Sequence, residues 1–290
     1  MPRSVATARA AALLDAAGIE APGREARLLL RWATGRDAAM LMREGDAILT
    51  AAEAERLASG LTARAARHPL AQITGERLFW GRPFRVTADV LDPRPETEAV
   101  ISAALAIRAP APGRIADLGT GTGCLLLTLL AEWPWAEGVG TDRSAAALVV
   151  AAKNAARLGL EARARLISTS WLDGITARFD LIVSNPPYIA ASALSGLAPE
   201  VREHEPRGAL VPDPDPLGDG LGAYRAIAAA APSRLESGGR LLLEIGHTQG
   251  PAVVSILAEH GFGVIEVLPD LDGRERVVSA QKPLRSTKNE

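Results

Sequence analysis

The chain is poor in cysteine, histidine and aromatic side chains, and each shortage narrows what it can do. A single cysteine, Cys124, excludes an internal disulfide and fits a reducing compartment, so a cytoplasmic location is expected. The four histidines, His68, His204, His247 and His260, show no ligand spacing with the cysteine or with each other, which argues against a metal centre. No apolar run reaches the roughly 20 residues that a membrane-spanning helix needs. The N-terminus, Met1-Pro2-Arg3-Ser4, leads into an alanine-rich helix with no signal-peptide core. A basic excess is also missing. The net charge is −2, and arginines are spread along the chain among acids, so direct nucleic-acid binding is not expected. What the chain does have is 48% hydrophobic content over 290 residues, enough for one large domain and a smaller one.

Two parts follow from the pattern along the chain. Residues 1–72 read as helices with short polar breaks, near Val5–Ala17, Gly23–Trp32, Asp37–Arg43 and Ala51–His68. Thr50-Ala51-Ala52-Glu53 is a capping box opening the last of these. Composition leaves open whether this part is a plain helical bundle or a docking module for a macromolecular partner. Residues 73–95 change character: two short aromatic runs around Gly81-Arg82 predict a hairpin joining the domains. Residues 96–290 form the larger domain. After a helix at Ala99–Ile107, strands are expected near 114–118, 137–142, 164–168, 179–184, 240–245, 263–268 and 275–280, with helices between them. That alternation predicts an α/β fold with a largely parallel sheet covered on both faces.

Three constellations fall at expected strand carboxyl ends, where ligands bind in such sheets. The first is Asp117-Leu118-Gly119-Thr120-Gly121-Thr122-Gly123 before the apolar run that starts at Cys124. A dinucleotide fingerprint needs a further glycine where Cys124 stands, and no Walker lysine follows. The loop Gly119 to Gly123 therefore suits a nucleoside without phosphates, such as S-adenosylmethionine. The second is Asp142, ending the next strand in register for a ribose diol, with Ser144 capping the helix that follows. Trp171, after the third strand, is either a core residue or a neighbour of the adenine ring; its position at a strand end favours the second.

The third constellation is Asn185-Pro186-Pro187-Tyr188, after the strand-like run Phe179 to Ser184. Neither proline has an N–H, so their carbonyls are free acceptors, and both φ angles are fixed. Asn185 is held extended by the proline after it. The side-chain oxygen of Asn185, the Pro186 carbonyl and the Tyr188 ring then make a rigid pocket for a planar –NH2 on an sp² carbon. The segment Arg94-Pro95-Glu96-Thr97-Glu98 has a path fixed by prolines, so its polar side chains could line a site; it is also an ordinary acidic helix start. Glu244 and His247 read as structural.

These motifs together resemble the peptide-chain release factor glutamine methyltransferases, the HemK/PrmC type of class I methyltransferase. The resemblance runs over almost the whole chain. It includes the helical front domain, Phe79-Trp80-Gly81, Arg94 to Glu98, Asp117 to Gly123 and Asn185 to Ile189. It continues through Glu203-His204-Glu205-Pro206-Arg207, Asp219-Gly220-Leu221, Tyr224-Arg225 and Glu244-Ile245-Gly246. Two departures stand out: Cys124-Leu125-Leu126 after the glycine loop, and the Pro- and Asp-rich stretch 211–218.

The resemblance implies a Rossmann-like class I methyltransferase sheet with a small N-terminal helical bundle joined by a β-hairpin. It implies methyl transfer from S-adenosylmethionine to a glutamine side-chain amide, in the Gly-Gly-Gln motif of class I release factors. The cofactor would lie on Gly119 to Gly123, Asp142, Trp171 and Asn185. The substrate amide would meet Asn185, Pro186, Pro187 and Tyr188, with catalysis by Asn185, Pro186 and Tyr188. A monomer is expected. Two other readings use the same residues: a nucleic-acid adenine amino methyltransferase, and a non-catalytic adaptor that binds the cofactor. The first should carry a basic groove, and the second has no need of amide acceptors. Whether Glu203 to Arg207 touches substrate is left open.

Overall fold

The computed structural model describes residues 1–107 and 110–284. The expected domain end at residue 290 lies outside the described residues. Backbone contacts divide the chain into two compact units: residues 1–76 with 198–204, and residues 77–197 with 205–290.

The first unit is helical, with helices Arg3–Ala16, Pro22–Thr34, Ala38–Arg43, Ala51–Ala65 and Leu70–Thr74, and with Pro199–His204 added from later in the chain. Its apolar centre collects Leu14, Ile19, Leu29, Leu30 and Leu57. The capping box forms: Glu53 N donates to Thr50 Oγ1 at 3.2 Å, and Thr50 N donates to Glu53 Oε2 at 2.8 Å. The fourth helix stops at Ala65 rather than running to His68, because Arg67 takes a left-handed φ of 70°. Pro69 then starts a separate short helix that composition did not signal.

A two-stranded hairpin forms from β1 (Glu76–Phe79) and β2 (Arg82–Arg85), but it turns at Trp80 and Gly81, one residue before the Gly81-Arg82 turn expected, and Arg82 opens β2. The second unit then builds one seven-stranded sheet from β3 (Arg114–Leu118), β4 (Glu137–Asp142), β5 (Ala164–Ser168), β6 (Phe179–Ser184), β7 (Leu235–Glu244), β8 (Gly263–Pro269) and β9 (Glu275–Gln281). The order is β5-β4-β3-β6-β7-β9-β8. The five strands from β5 to β7 are parallel, and β9 runs antiparallel to both its neighbours. From β3 the chain first moves outward through β4 and β5, then returns to the other side of β3 with β6. The switch point therefore lies between the carboxyl ends of β3 and β6.

Burial explains the strand sequences. β6 shows Leu181, Ile182 and Val183 all fully buried, as expected for a central strand covered on both faces. Leu118, Tyr224, Ile227 and Leu257 pack in the cluster on one face; Ile101, Leu126, Leu129 and Leu130 pack in the other. The helix Cys124–Glu132 buries all six residues from Leu125 to Leu130, so it is enclosed rather than amphipathic. β7 begins five residues before the expected start, since Ser237-Gly238-Gly239, which looks like a turn, is absorbed as an irregularity opposite Phe179 and Leu181.

Asn154, fully buried, ties three pieces together. Its Oδ1 accepts from Arg85 N at 2.7 Å, and its Nδ2 donates to Arg85 O at 3.2 Å and to Thr122 O at 2.9 Å. The hairpin is thereby fastened to the helix Ala145–Leu158 and to the glycine loop.

Candidate active site

The glycine loop leaves β3 and folds back over the end of β4. Gly119 N and Thr120 N both donate to Thr141 O, at 2.8 and 2.9 Å. Gly119, Gly121 and Gly123 have φ of 70°, 53° and 81°, a region in which a side chain is strained. Gly121 N donates to Asp142 Oδ2 at 3.0 Å, and Ser144 N donates to Asp142 Oδ1 at 2.8 Å. The loop and Asp142 thus form one hydrogen-bonded rim. Each carboxylate oxygen keeps a second lone pair for a ligand hydroxyl.

Below the rim sits Asp117, 1% exposed. Burial pushes its carboxyl up to about 7, opposed by the hydrogen bonds it accepts from Thr120 and Leu126. Its Oδ1 is buried with no hydrogen-bond partner among the described residues. Trp171 lies across the rim: a Cβ on Gly119 would stand 3.7 Å from its Cζ3. Its φ of 48° is unusual for an aromatic residue, and its ring also packs on the apolar cluster of that face.

These groups line one cavity of about 310 Å³ within the second unit, together with Thr97, Asn185 and Pro187. Of the sequence-predicted residues, Gly119, Thr120, Gly121, Thr122, Asp142, Trp171, Asn185 and Pro187 are on its wall. Gly123 is not among the lining residues. It caps the helix Cys124–Glu132, and a Cβ there would press to 2.9 Å from Leu127 Cδ1. Pro186 and Tyr188 also stand outside the lining set; Tyr188 is half-buried against the core. The Tyr188 carbonyl accepts from Gln249 Nε2 at 3.0 Å, and burial holds its phenol well above the usual range.

Asn185 is fixed by Thr97, from the Arg94 to Glu98 segment whose polar side chains could line a site. Its Nδ2 donates to Thr97 Oγ1 at 3.1 Å, and Thr97 is 2% exposed. The Asn185 amide thus gives one of its two N–H groups to the protein, with Oδ1 as its acceptor. Glu244, read from sequence as structural, is buried beside this pair. Burial raises its carboxyl to about 7, opposed first by hydrogen bonding from Thr97 and then by the Arg276 charge. Asp117, Thr97 and Glu244 each stand in a segment that carries the family resemblance, but their surroundings come only with the fold.

The cavity's other flank is acidic and basic together. Arg94 Nη2 donates to Glu205 Oε1 at 3.0 Å, and Asp92 N donates to Glu205 Oε2 at 3.3 Å. Burial pushes Glu205 up to about 7 and raises Asp92, in both cases against the pull of nearby arginines. Within the stretch 203–207, Pro206 lines the cavity, Glu205 supports its wall, and Glu203 is an exposed partner of Arg202. Cys124, which also lines it, is pushed up to about 12 by burial, so it is a thiol and not a nucleophile. Among the described residues no His, Cys, Asp and Glu side chains cluster to hold a metal ion, and no helix is long and apolar enough to cross a membrane.

A glycine rim, an acid at the end of β4, an unpartnered buried carboxylate oxygen and an aromatic wall suit a nucleoside carrying a cationic tail. Comparison with known proteins agrees. The family model described as PrmC N-terminal domain matches residues 6–75, and the one described as methyltransferase small domain matches residues 98–200. A solved methyltransferase from Pyrococcus furiosus shares the fold, with a TM-score of 0.54 at 16% identity over 77% of this chain and all of that one. A release factor glutamine methyltransferase of Cereibacter sphaeroides is 55% identical over 270 residues, 93% of this chain and 95% of its own. One of Bradyrhizobium diazoefficiens is 44% identical over 278 residues, 94% of this chain and 92% of its own. With likeness of that degree along nearly its whole length, the chain belongs to the family of release factor glutamine methyltransferases.

Proposed function

We propose that this enzyme methylates the side-chain amide nitrogen of the glutamine in the Gly-Gly-Gln motif of class I peptide-chain release factors. The methyl donor is S-adenosylmethionine, which when bound supplies a methyl group activated by its sulfonium. The reading is carried by one observation: the 3.1 Å hydrogen bond from Asn185 Nδ2 to Thr97 Oγ1, on the wall of the cavity that the glycine loop and Asp142 also line. It turns Asn185 into an oriented acceptor beside a nucleoside site.

The chemistry asks for such an acceptor. An amide nitrogen shares its lone pair with its carbonyl and is a weak nucleophile. Asn185 Oδ1 and the Pro186 carbonyl each take one N–H of the substrate amide and aim the nitrogen at the methyl group. As positive charge grows on nitrogen, both acceptors hold it more strongly, so their gain falls mostly in the transition state. Tyr188 stacks on the amide plane. The nitrogen gains the methyl group and afterwards gives up one proton to water.

For the cofactor, Gly119 to Thr122 supply backbone close to the ligand, and Asp142 takes the ribose hydroxyls. Trp171 covers the adenine, and Gly123 acts by capping the helix behind the loop. The helical unit, assigned here to residues 1–72 and followed by the hairpin 73–95, is the part that docks the release factor. The enzyme works as a monomer in the cytoplasm and needs no nucleic acid, consistent with its net charge of −2 and its single cysteine.

The test is transfer of labelled methyl from S-adenosylmethionine to purified release factor. Label should appear on the glutamine and vanish both with Asn185→Ala and when that glutamine is replaced. Label on an oligonucleotide adenine instead would replace the substrate assignment.

A further inference from the structure

Asp219-Gly220-Leu221, Tyr224-Arg225 and Glu244-Ile245-Gly246 all carry the family resemblance, and the fold brings one residue of each near a single peptide unit, the one that joins Tyr188 to Ile189. Both polar atoms of that unit are taken. Its carbonyl, Tyr188 O, accepts from Gln249 Nε2 at 3.0 Å, and its N–H, on Ile189, donates to Leu210 O at 2.9 Å. Gly220 lies against the same unit: a Cβ there would stand 2.5 Å from Tyr188 O and 2.9 Å from Ala190 N. Its φ of 77° also disfavours a side chain.

Main-chain groups alone set the direction of the Gln249 amide. Its Oε1 accepts from Gly246 N at 3.0 Å, and an N–H can only donate; its Nε2 meets the Tyr188 carbonyl, which can only accept. A flipped amide would lose both bonds. Tyr224 Oη stands 3.4 Å from the same Oε1, and a Cβ on Gly246 would come to 2.9 Å from it. Gln249 occupies the N-cap of the helix Gly250–Glu259, yet its side chain makes no capping bond. The amide is committed to Tyr188 instead.

We propose that Gln249 is a positioning residue for Asn185-Pro186-Pro187-Tyr188: by holding the peptide after Tyr188 it sets the direction of the Pro186 carbonyl and of the Tyr188 ring. The segment has few free torsions, since both proline φ angles are fixed and Asn185 is restricted by the proline after it. One end leaves β6, where Ser184 Oγ donates to Leu118 O at 2.6 Å. With the other end held by Gln249 and walled by Gly220, little freedom remains between them. The proposal rests on the reading of Asn185 and Pro186 as acceptors for the substrate amide.

The test uses the full-length enzyme with release factor as substrate. It reads kcat, KM, cofactor Kd by equilibrium dialysis, Tm, and hydrogen exchange of the Ile189 amide by NMR. Gln249→Met keeps the length of the side chain and removes both bonds. Its kcat should fall about 5- to 50-fold while KM and cofactor Kd stay within about 3-fold, and the Ile189 amide should exchange faster. Gln249→Glu, read at pH 8, keeps the acceptor for Gly246 N and removes only the donor to Tyr188, so it should match Gln249→Met. Wild-type kcat in either variant, or a loss confined to Tm, would overturn the proposal. So would a fall in kcat matched by an equal loss of cofactor affinity, which would make Gln249 a support of the cofactor site. Full activity of Asn185→Ala would instead remove the acceptor reading beneath the proposal.

Discussion

Thr120 Oγ1 donates to Asp117 Oδ2 across 2.6 Å, and the Leu126 N–H donates to the same oxygen at 3.3 Å, so one carboxylate oxygen is doubly held while Oδ1 is buried without a hydrogen-bond partner among the described residues. This geometry gives a pH dependence with a definite sign. Asp117, Glu205 and Glu244 are each raised by burial to about 7, above the usual carboxylate range. Between about pH 4 and pH 7 the folded protein therefore holds protons that the unfolded chain has released, and stability must fall as pH rises through that window. The carboxylates held low, such as Asp219 and Glu44, act in the opposite sense and at more acid pH. Urea unfolding of the cofactor-free enzyme should show this fall. Asp117→Asn should flatten it by roughly 1.4 kcal/mol for each unit of pKa difference removed. An unchanged slope would mean that Asp117 is ionised throughout.

The same carboxyl predicts a cofactor effect. Asp117 belongs to the cavity wall, so its ionisation favours binding of a positively charged ligand there. Cofactor affinity should rise with pH between 6 and 8 in the wild type, and Asp117→Asn should weaken binding and abolish the rise; isothermal calorimetry at three pH values decides it.

How far the sequence carried the fold can be judged from particular residues. The glycine loop, Asp142 and Asn185 were legible because each sits at the carboxyl end of an expected strand, and strand ends converge in a parallel sheet. The start of β7 was not, because Gly238 and Gly239 carry a turn's composition inside a strand. The short helix Leu70–Thr74 was missed because five residues give no period to read. In the site, Asn185 stands out through its prolines, but Thr97 lies 88 positions away in sequence, and their contact exists only after folding. Glu244 shows the limit most clearly. On a strand end its side chain reads as structural, and the burial that raises its carboxyl to about 7 comes from segments that pack around it only in the fold.

Gly123→Ala should separate fold from ligand binding. The residue has φ of 81° and caps the helix Cys124–Glu132, and a methyl there would meet Leu127 Cδ1 at 2.9 Å. Strain of about 1–3 kcal/mol is expected in unfolding experiments. Because the loop would shift to relieve the contact, cofactor Kd should also rise. Loss of stability with unchanged Kd would show that the cap and the rim move independently.

In the helical unit, Arg64 is 5% exposed and gathers three partners: Glu25 Oε2 at 2.6 Å, Glu200 Oε1 at 3.1 Å and the His68 carbonyl at 3.3 Å. Glu200 lies in the helix Pro199–His204, which joins this unit far along the chain from the helix Leu70–Thr74. Breaking a buried pair costs more than the pair contributes, since the partners' charges stay behind. Arg64→Ala should therefore destabilise by about 3–5 kcal/mol. It should also loosen the returning segment before the helices. The Val201 amide, which donates to Ala198 O at 3.0 Å, would then exchange with solvent faster than the amides of Ala51–Ala65. Equal exchange at both places would mean that the segment stands on its own turn, held by the His68–His204 ring contact at 4.0 Å and by Gln72 Nε2 on the His204 carbonyl at 3.1 Å.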